Sequence, residues 1–418
     1  MRYVFGLLCV CALGVMPLVG CSETTGAGGS GGTAGNGGMA GVGGGGSAGS
    51  GGSVACEGNV CPCNEQGIRD AIAAGGGPYT FACSGPTTVV TDTEIVIDND
   101  VTLDGEGSLT VDGNDDHRVF AVAVGSTAEL RGFTVSGGKA RRGDGSGIYN
   151  FGTLTLTNST VLGNTASAQG GGIVNEGTLT LTNSTVSGNS ASSGGGIWNG
   201  FNATLTLTNS TVSGNWCIPS RDVCWGRGIL SNGALTIEGS TIAGNSGGAE
   251  ALGALVTYRS LSLTNSTVSD DYWGIVVGAT VTLAHSTIVG GDAALASLGS
   301  GVTTTTKGSL MVGGCLPTDS DVTSKGYNIE SPGNTCGFDQ GTDQVVPDPM
   351  LGPLQDNGGP TETHALLPGS PAINQIPVED CLDAEGAPLT TDQRGEPRPE
   401  TGGTMCDVGA FERQTDDP

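Results

Sequence analysis

One phrase, Leu-Thr-Leu-Thr-Asn-Ser-Thr-Val, constrains the fold of this chain more than any other feature. It stands intact at residues 154–161, 179–186 and 205–212, and in degraded form at 235–242, 261–268 and 281–288. Within each copy apolar and polar residues alternate, the period of a half-buried strand. A repeat of this length is one supersecondary unit that cannot bury its apolar face alone and must stack on its neighbours. The expectation is a stack of coils, one per repeat, with Leu179 and Leu181 inward and the threonines outward.

Finer marks set the register. Gly-Ile pairs at 147–148, 172–173, 196–197, 228–229 and 274–275 precede the bend residue of the phrase at a nearly constant offset, lengthened only at 196–197. Ile148, Ile173, Ile197, Ile229 and Ile275 are therefore expected to form an aliphatic ladder. Asn158, Asn183, Asn209 and Asn265 are expected to form an amide ladder at the bend, with Gly239 and His285 in that slot elsewhere. The outward neighbours Tyr149, Val174, Trp198, Leu230 and Val276 form an apolar stripe, the mark of a covered or interacting face. Proline deletes a ladder donor. Between residues 89 and 290 only Pro219 occurs, while 11 of the 18 prolines follow residue 340. About eight coils are expected between 89 and 289, making a rod about 40 Å long. Ile68, Ala71 and Ile72 have helical spacing and suit a cap on the first coil. The three-strand coil resembles the right-handed parallel β-helix, and its hand follows from that resemblance and from the crossover rule. The fold class is all-β: a right-handed parallel β-helix with an N-terminal helical cap and a Pro/Gly-rich C-terminal cap domain.

Composition narrows the function. Aromatics make up 4% and charged residues 13%, and 41 acidic against 15 basic residues give a net charge of −26. Such a polyanion repels phosphate backbones, so no nucleic-acid partner is expected. Residues 1–20 carry a basic start and an apolar run, the pattern of a secretory signal. The run ends Leu18-Val19-Gly20-Cys21, which resembles the bacterial lipobox. That resemblance implies lipidation of Cys21, a membrane partner through the lipid, and, with Ser22 next, sorting to the outer membrane. Residues 21–54 are almost all Gly, Ala, Ser and Thr. They form a flexible tether with a root-mean-square reach of roughly 30 Å. Ten cysteines remain in the exported body, an even number that implies disulfides. Cys217–Cys224, Cys315–Cys336 and Cys381–Cys406 are the expected pairs; Cys56, Cys61, Cys63 and Cys83 pair among themselves in an open order. Zinc at Cys61-Pro-Cys63 fails on spacing.

The flanks carry a second resemblance. The run from Cys63 to Ile72 is similar to openings that precede β-helices in exported bacterial proteins. Gly326-Tyr-Asn-Ile329, the Pro-Met-Leu-Gly-Pro-Leu run after Asp348, His364-Ala-Leu-Leu-Pro-Gly-Ser-Pro-Ala-Ile373, Thr391-Asp-Gln-Arg-Gly395 and Cys406-Asp-Val-Gly-Ala-Phe-Glu412 resemble the choice-of-anchor Q domain of bacterial surface proteins. That family brings no activity with it. With the repeat and the proline distribution, which set 55–88 as N-terminal cap and 89–300 as β-helix, it implies an anchor-Q-like domain over 301–418. Asp392 and Arg394 read as a structural ion pair.

Chemistry is sparse. The candidate catalytic set is Asp270 and Asp271 with Arg259 and His285 and the tyrosines at 258 and 272, since glycoside chemistry needs carboxylates at a set separation on one face. Two other charged patches, Asp112 to Arg118 and Lys139 to Asp144, read as solvated faces. Asp112, Asn114 and Asp116 alternate like a calcium loop but lack its glycine and terminal glutamate, so no cofactor is expected beyond a loose calcium site. Trp216 and Trp225 bracket the Cys217–Cys224 loop and, with Arg221 and Asp222, are the candidate glycan-binding residues. The leading expectation is a lipid-anchored, non-catalytic surface protein that binds glycan or a neighbouring cell surface. A polysaccharide lyase or hydrolase is second, and a ligand-free spacer third.

Overall fold

The computed structural model describes residues 56–140, 143–218, 224–248, 251–270, 272–316, 321–383 and 385–417. Residues 1–55, with the signal segment, Cys21 and the tether, lie outside that set, as do Arg141, Arg142, Arg221, Asp222 and Asp271.

The phrase strands stack in parallel and in register. Thr153–Thr157, Thr178–Thr182 and Thr204–Thr208 pair residue for residue, so Leu154, Leu179 and Leu205 lie atop one another, as do Leu156, Leu181 and Leu207. All six leucines are buried, and the threonines between them face outward. The Gly-Ile strands form a ten-stranded parallel sheet. Its inward ladder runs Ile95, Phe120, Ile148, Ile173, Ile197, Ile229, Leu255, Ile275, Leu295 and Cys315. Leu255 fills a rung between Ile229 and Ile275 that a search for Gly-Ile passes over; Ala254-Leu255 stands at the usual offset from its bend. The fold is a parallel β-helix, and its coils do not end at residue 300. Thr303–Lys307, Leu310–Val312, Asp321–Ser324 and Ile329–Ser331 continue the same parallel ladders. A fourth strand per coil, unforeseen in the repeat, joins the return side: Lys139–Ala140, Thr165–Ala166, Ser190–Ala191, Trp216–Cys217 and Ser246–Gly247.

The bend asparagines are not the amide ladder. Asn158, Asn183, Asn209 and Asn265 have φ of 49°, 48°, 49° and 52°, and Gly239, His285 and Gly308 follow at 58°, 45° and 59°. A left-handed residue is needed at this corner in every coil, and Asn tolerates that region better than other side-chain-bearing residues. Asn158 and Asn183 are exposed. Two other asparagine ladders hold the stack. Asn164 Nδ2 donates to Asn189 Oδ1 (2.9 Å), Asn189 to Asn215 (3.0 Å) and Asn215 to Asn245 (2.9 Å). Each also donates to a valine carbonyl of the preceding coil. Asn150, Asn175 and Asn199 repeat the pattern at the opposite corner, with bonds of 2.7 Å. Between them, the Ser184, Ser210 and Ser240 hydroxyls each accept the amide N–H of the serine one coil before, at 3.1, 3.1 and 3.0 Å. The interior corners of the coil are thus satisfied by like residues bonding like residues.

The N-terminal end is closed by a helix, and the C-terminal segment, expected as a cap over the last coil, lies along the side of the stack instead. Helix Glu65–Ala74 is N-capped by Asn64, whose side chain accepts the Gly67 N–H (2.9 Å), and it buries Ile68, Ala71 and Ile72. Disulfides Cys56–Cys61 and Cys63–Cys83 resolve the pairing left open at this end; Cys217–Cys224, Cys315–Cys336 and Cys381–Cys406 complete the set. The Pro/Gly-rich C-terminal segment covers the last coils from the side, along the strand that follows the bend. At this coil position Thr160, Thr185 and Thr211 are half-buried, whereas Thr241, Thr267, Thr287 and Leu310 are buried beneath the segment. Gln393 donates to Thr241 Oγ1 (2.8 Å) and accepts from Thr267 Oγ1 (2.6 Å). His364 Nε2 meets Ser269 Oγ at 3.0 Å, and Ala410 N donates to Thr287 Oγ1 (3.0 Å). A second core forms where Leu310 and Ile329 meet Leu366, Ile376, Val408 and Phe411.

Charges gather under this strap. Arg394 pairs with Asp392 (2.9 Å), as expected, and Arg398 pairs with Glu412 (3.3 Å) while donating to His285 Nδ1 (3.1 Å). Burial pushes Glu412 up to about 7, against the opposing pull of Arg398. That folded value lies above the ordinary 4.5, so the folded state holds an extra proton between the two. The stability this group contributes is complete below about pH 4.5 and is lost as pH rises through about 7. Unfolding of the wild type is expected to lose about 3 kcal/mol over that window, and Glu412→Gln is expected to flatten the dependence; a denaturant titration at about pH 4.5, 6 and 8 checks both. In the stack, Asn189→Ala is expected to cost on the order of 3 kcal/mol by leaving buried partners unsatisfied, whereas Asn183→Gly at the bend is expected to stay within about 0.5 kcal/mol.

Candidate functional site

The candidate catalytic residues do not meet. Arg259 follows the Gly-Ile-type strand Leu255–Thr257, Asp270 ends the post-bend strand Thr267–Asp270, and His285 occupies a bend. These are three different corners of the coil. Asp270 is buried and pairs with Arg227 at 2.7 Å, both side chains at most 3% exposed. His285 is fully buried under the strap, where burial, then Arg398 and Lys307, hold its pKa well below the ordinary histidine value. Neither group faces a substrate. The repeat would turn His285 outward, as it does the bend asparagines, and Arg398 roofs it instead; Asp270 stands two residues after the inward Val268, shares its inward parity and meets Arg227 there. Neither motif nor spacing singles out Arg227. It occupies a position where neighbouring coils carry Ser146, Gly171 and Gly195, so its intrusion into a Gly-x-Gly-Ile pattern is the one available signal.

The calcium-like segment is a turn. Asp112 Oδ1 accepts the Asn114 N–H (2.7 Å) and Oδ2 accepts the Ser136 hydroxyl (2.9 Å), while Asn114 and Asp115 are left-handed. Among the described residues, no group of three or more His, Cys, Asp or Glu side chains is placed to hold a metal ion. Asp144 accepts from Gln169 N (3.0 Å) and so braces a loop.

What the structure does gather is aromatic surface. The stripe Val174, Trp198, Leu230, Val256 and Val276 is buried, and it is covered in part by Trp225, Leu252 and Trp273. Trp225 reaches the stripe because Cys224–Trp225 pairs with Ala251–Leu252, outside the main coil. Its far side meets Tyr258, with ring centroids 6.1 Å apart. Trp216, on the other side of the Cys217–Cys224 disulfide, points outward from the return strand between Ser190 and Ser246 and is 48% exposed. Tyr272 is 50% exposed, and its ring is held by the Arg227 guanidinium 4.7 Å from its centroid. The buried Arg227–Asp270 pair thus fixes an exposed tyrosine. Three rings in the neighbourhood of the excursion present free surface: Trp216, Tyr258 and Tyr272.

No protein-family model and no curated protein matches the chain. Among solved structures, one described as the crystal structure of pectate lyase Pel9A matches with 16% identity and a TM-score of 0.45, over 82% of this chain and 90% of that chain. At those values the strand pairing within the chain, not the neighbour, carries the fold assignment.

Asp270→Ala is expected to lower stability by about 3 kcal/mol or more, because it strands a buried guanidinium. It should also loosen Tyr272, read as an altered tyrosine near-ultraviolet circular dichroism signal. Asp270→Ala with unchanged stability would contradict the structural role.

Proposed function

We propose that the protein is an exported, non-catalytic carbohydrate-binding β-helix, held at the outer membrane through a lipid on Cys21 and raised from it by the Gly/Ser-rich tether. The observation that supports binding is the set of exposed rings around the disulfide-closed excursion, Trp216 foremost, in a chain whose other outward faces carry mainly Thr and Ser. Aromatic faces stack on the apolar faces of sugar rings, and a ring half in water loses little on meeting one. The disulfides support an oxidising compartment, and the lipobox-like Leu18-to-Cys21 run supports the anchor. Trp225 has two roles in this reading: it seals the apolar stripe and backs Tyr258.

A panel of neutral and acidic polysaccharides presented to the full chain tests the proposal. Trp216→Ala is expected to weaken binding at least about tenfold with the unfolding midpoint unchanged, whereas Trp225→Ala is expected to lower both. Release of unsaturated or reducing sugar during incubation would overturn the non-catalytic reading. Absence of binding across the panel would leave the chain a spacer.

A further inference from the structure

Beside the aromatic surface, where the Gly-Ile strands turn into the phrase strands, a groove of about 480 Å³ spans successive coils, lined by Phe201, Asn202, Thr204, Arg259, Ser260 and Thr280 among others. Two of these residues are unexplained by the fold. Phe201 belongs to an enlargement of its coil, the reason the pair Gly196-Ile197 stands further ahead of its bend than its counterparts do. It is 64% exposed. Phe151, at the corresponding turn two coils earlier, is instead stacked on Tyr149 with centroids 4.2 Å apart; no such ring stands against Phe201 among the described residues. Arg259 is exposed, and among the described residues it is the arginine whose guanidinium meets neither a carboxylate nor a carbonyl. The others do: Arg69, Arg118, Arg131, Arg227, Arg394 and Arg398 hold carboxylates, and Arg413 a carbonyl. In a chain of net charge −26, a cation kept clear of acids at the edge of a groove is poised for an anion from outside.

The chemistries are complementary. A guanidinium fork matches a planar carboxylate with two parallel hydrogen bonds, which an ammonium cannot do. A phenyl face takes the apolar face of a sugar ring, and the Thr204, Ser260 and Thr280 hydroxyls and the Asn202 amide suit its hydroxyls. Tyr258, the chain neighbour of Arg259, stands 6.1 Å from Trp225 and so places the groove next to the aromatic surface. We propose that this groove is a binding subsite for a carboxylate-bearing sugar residue, with Arg259 on the carboxylate and Phe201 on the ring. The proposal rests on the carbohydrate-binding reading above and names its ligand class. Repulsion from the rest of the acidic chain does not forbid it, since at physiological ionic strength charges beyond about 8 Å are largely screened.

The test uses the full chain and two probes: a uronate tetrasaccharide and the same tetrasaccharide with its carboxyls reduced to alcohols. The wild type is expected to bind the acidic probe about tenfold more tightly or better. Arg259→Gln is expected to erase that preference while leaving the affinity for the reduced probe unchanged. Arg259→Lys is expected to restore only part of it, and Phe201→Ser to weaken both probes. Both positions lie on the surface, so an unchanged circular dichroism spectrum confirms folding. Equal affinity for the two probes, or a preference that survives Arg259→Gln, overturns the subsite. Failure of both probes to bind the wild type overturns the subsite, and absence of binding to the polysaccharide panel as well overturns the carbohydrate reading.

Discussion

Parallel pairing without register shift across the phrase coils is the constraint on which the rest depends. Because each coil lies on the next with identical positions in contact, a residue chosen once is met by its own copy one coil later. Positions that bond or pack with themselves are favoured: leucine on leucine, serine on serine, an amide whose Nδ2 donates to the Oδ1 above. Ionised side chains are not, since like charges placed opposite each other repel. This fits a composition in which leucine and threonine fill the intact phrase strands, which contain no acid, while asparagine and serine hold the corners between them.

That same regularity decided what could be read from the sequence. The phrase strands, the inward leucines, the isoleucine rungs, the helix at Glu65–Ala74 and the local disulfide Cys217–Cys224 follow from spacing alone. The amide ladder does not run through Asn183, because its left-handed backbone turns that side chain outward. Asn189, after a glycine at the same repeat period, lies on the inside, and the recurring Gly-Asn of residues 163–164, 188–189, 214–215 and 244–245 recorded it. The rung at Leu255 carries no Gly-Ile mark, since its coil has Ala254-Leu255 in that place.

What spacing could not convey was the strap. The partners of His285, Asn265 and Thr267 lie 113 to 126 residues further along, and no local pattern marks them. The repeat therefore presented His285 as a surface base and Asp270 as an available carboxylate, when one is roofed by Arg398 and the other neutralised by Arg227. The candidate binding surface was half legible for the complementary reason. Trp216 and Phe201 both sit where a coil is enlarged, and departures from a repeat are visible when the repeat itself is clear.

The strap has a bearing on how such a chain lengthens. Gln393, His364, Arg398 and Ala410 grip consecutive coils from Thr241 to Thr287, so the number of turns in that stretch is metered by a segment that is not itself repetitive. Thr361 on Gly239 is the furthest upstream of these bonds among the described residues, and before it nothing lateral counts the coils. The worn copies of the phrase are thus the ones whose post-bend strands the strap grips, while the three intact copies stand upstream of its hydrogen bonds.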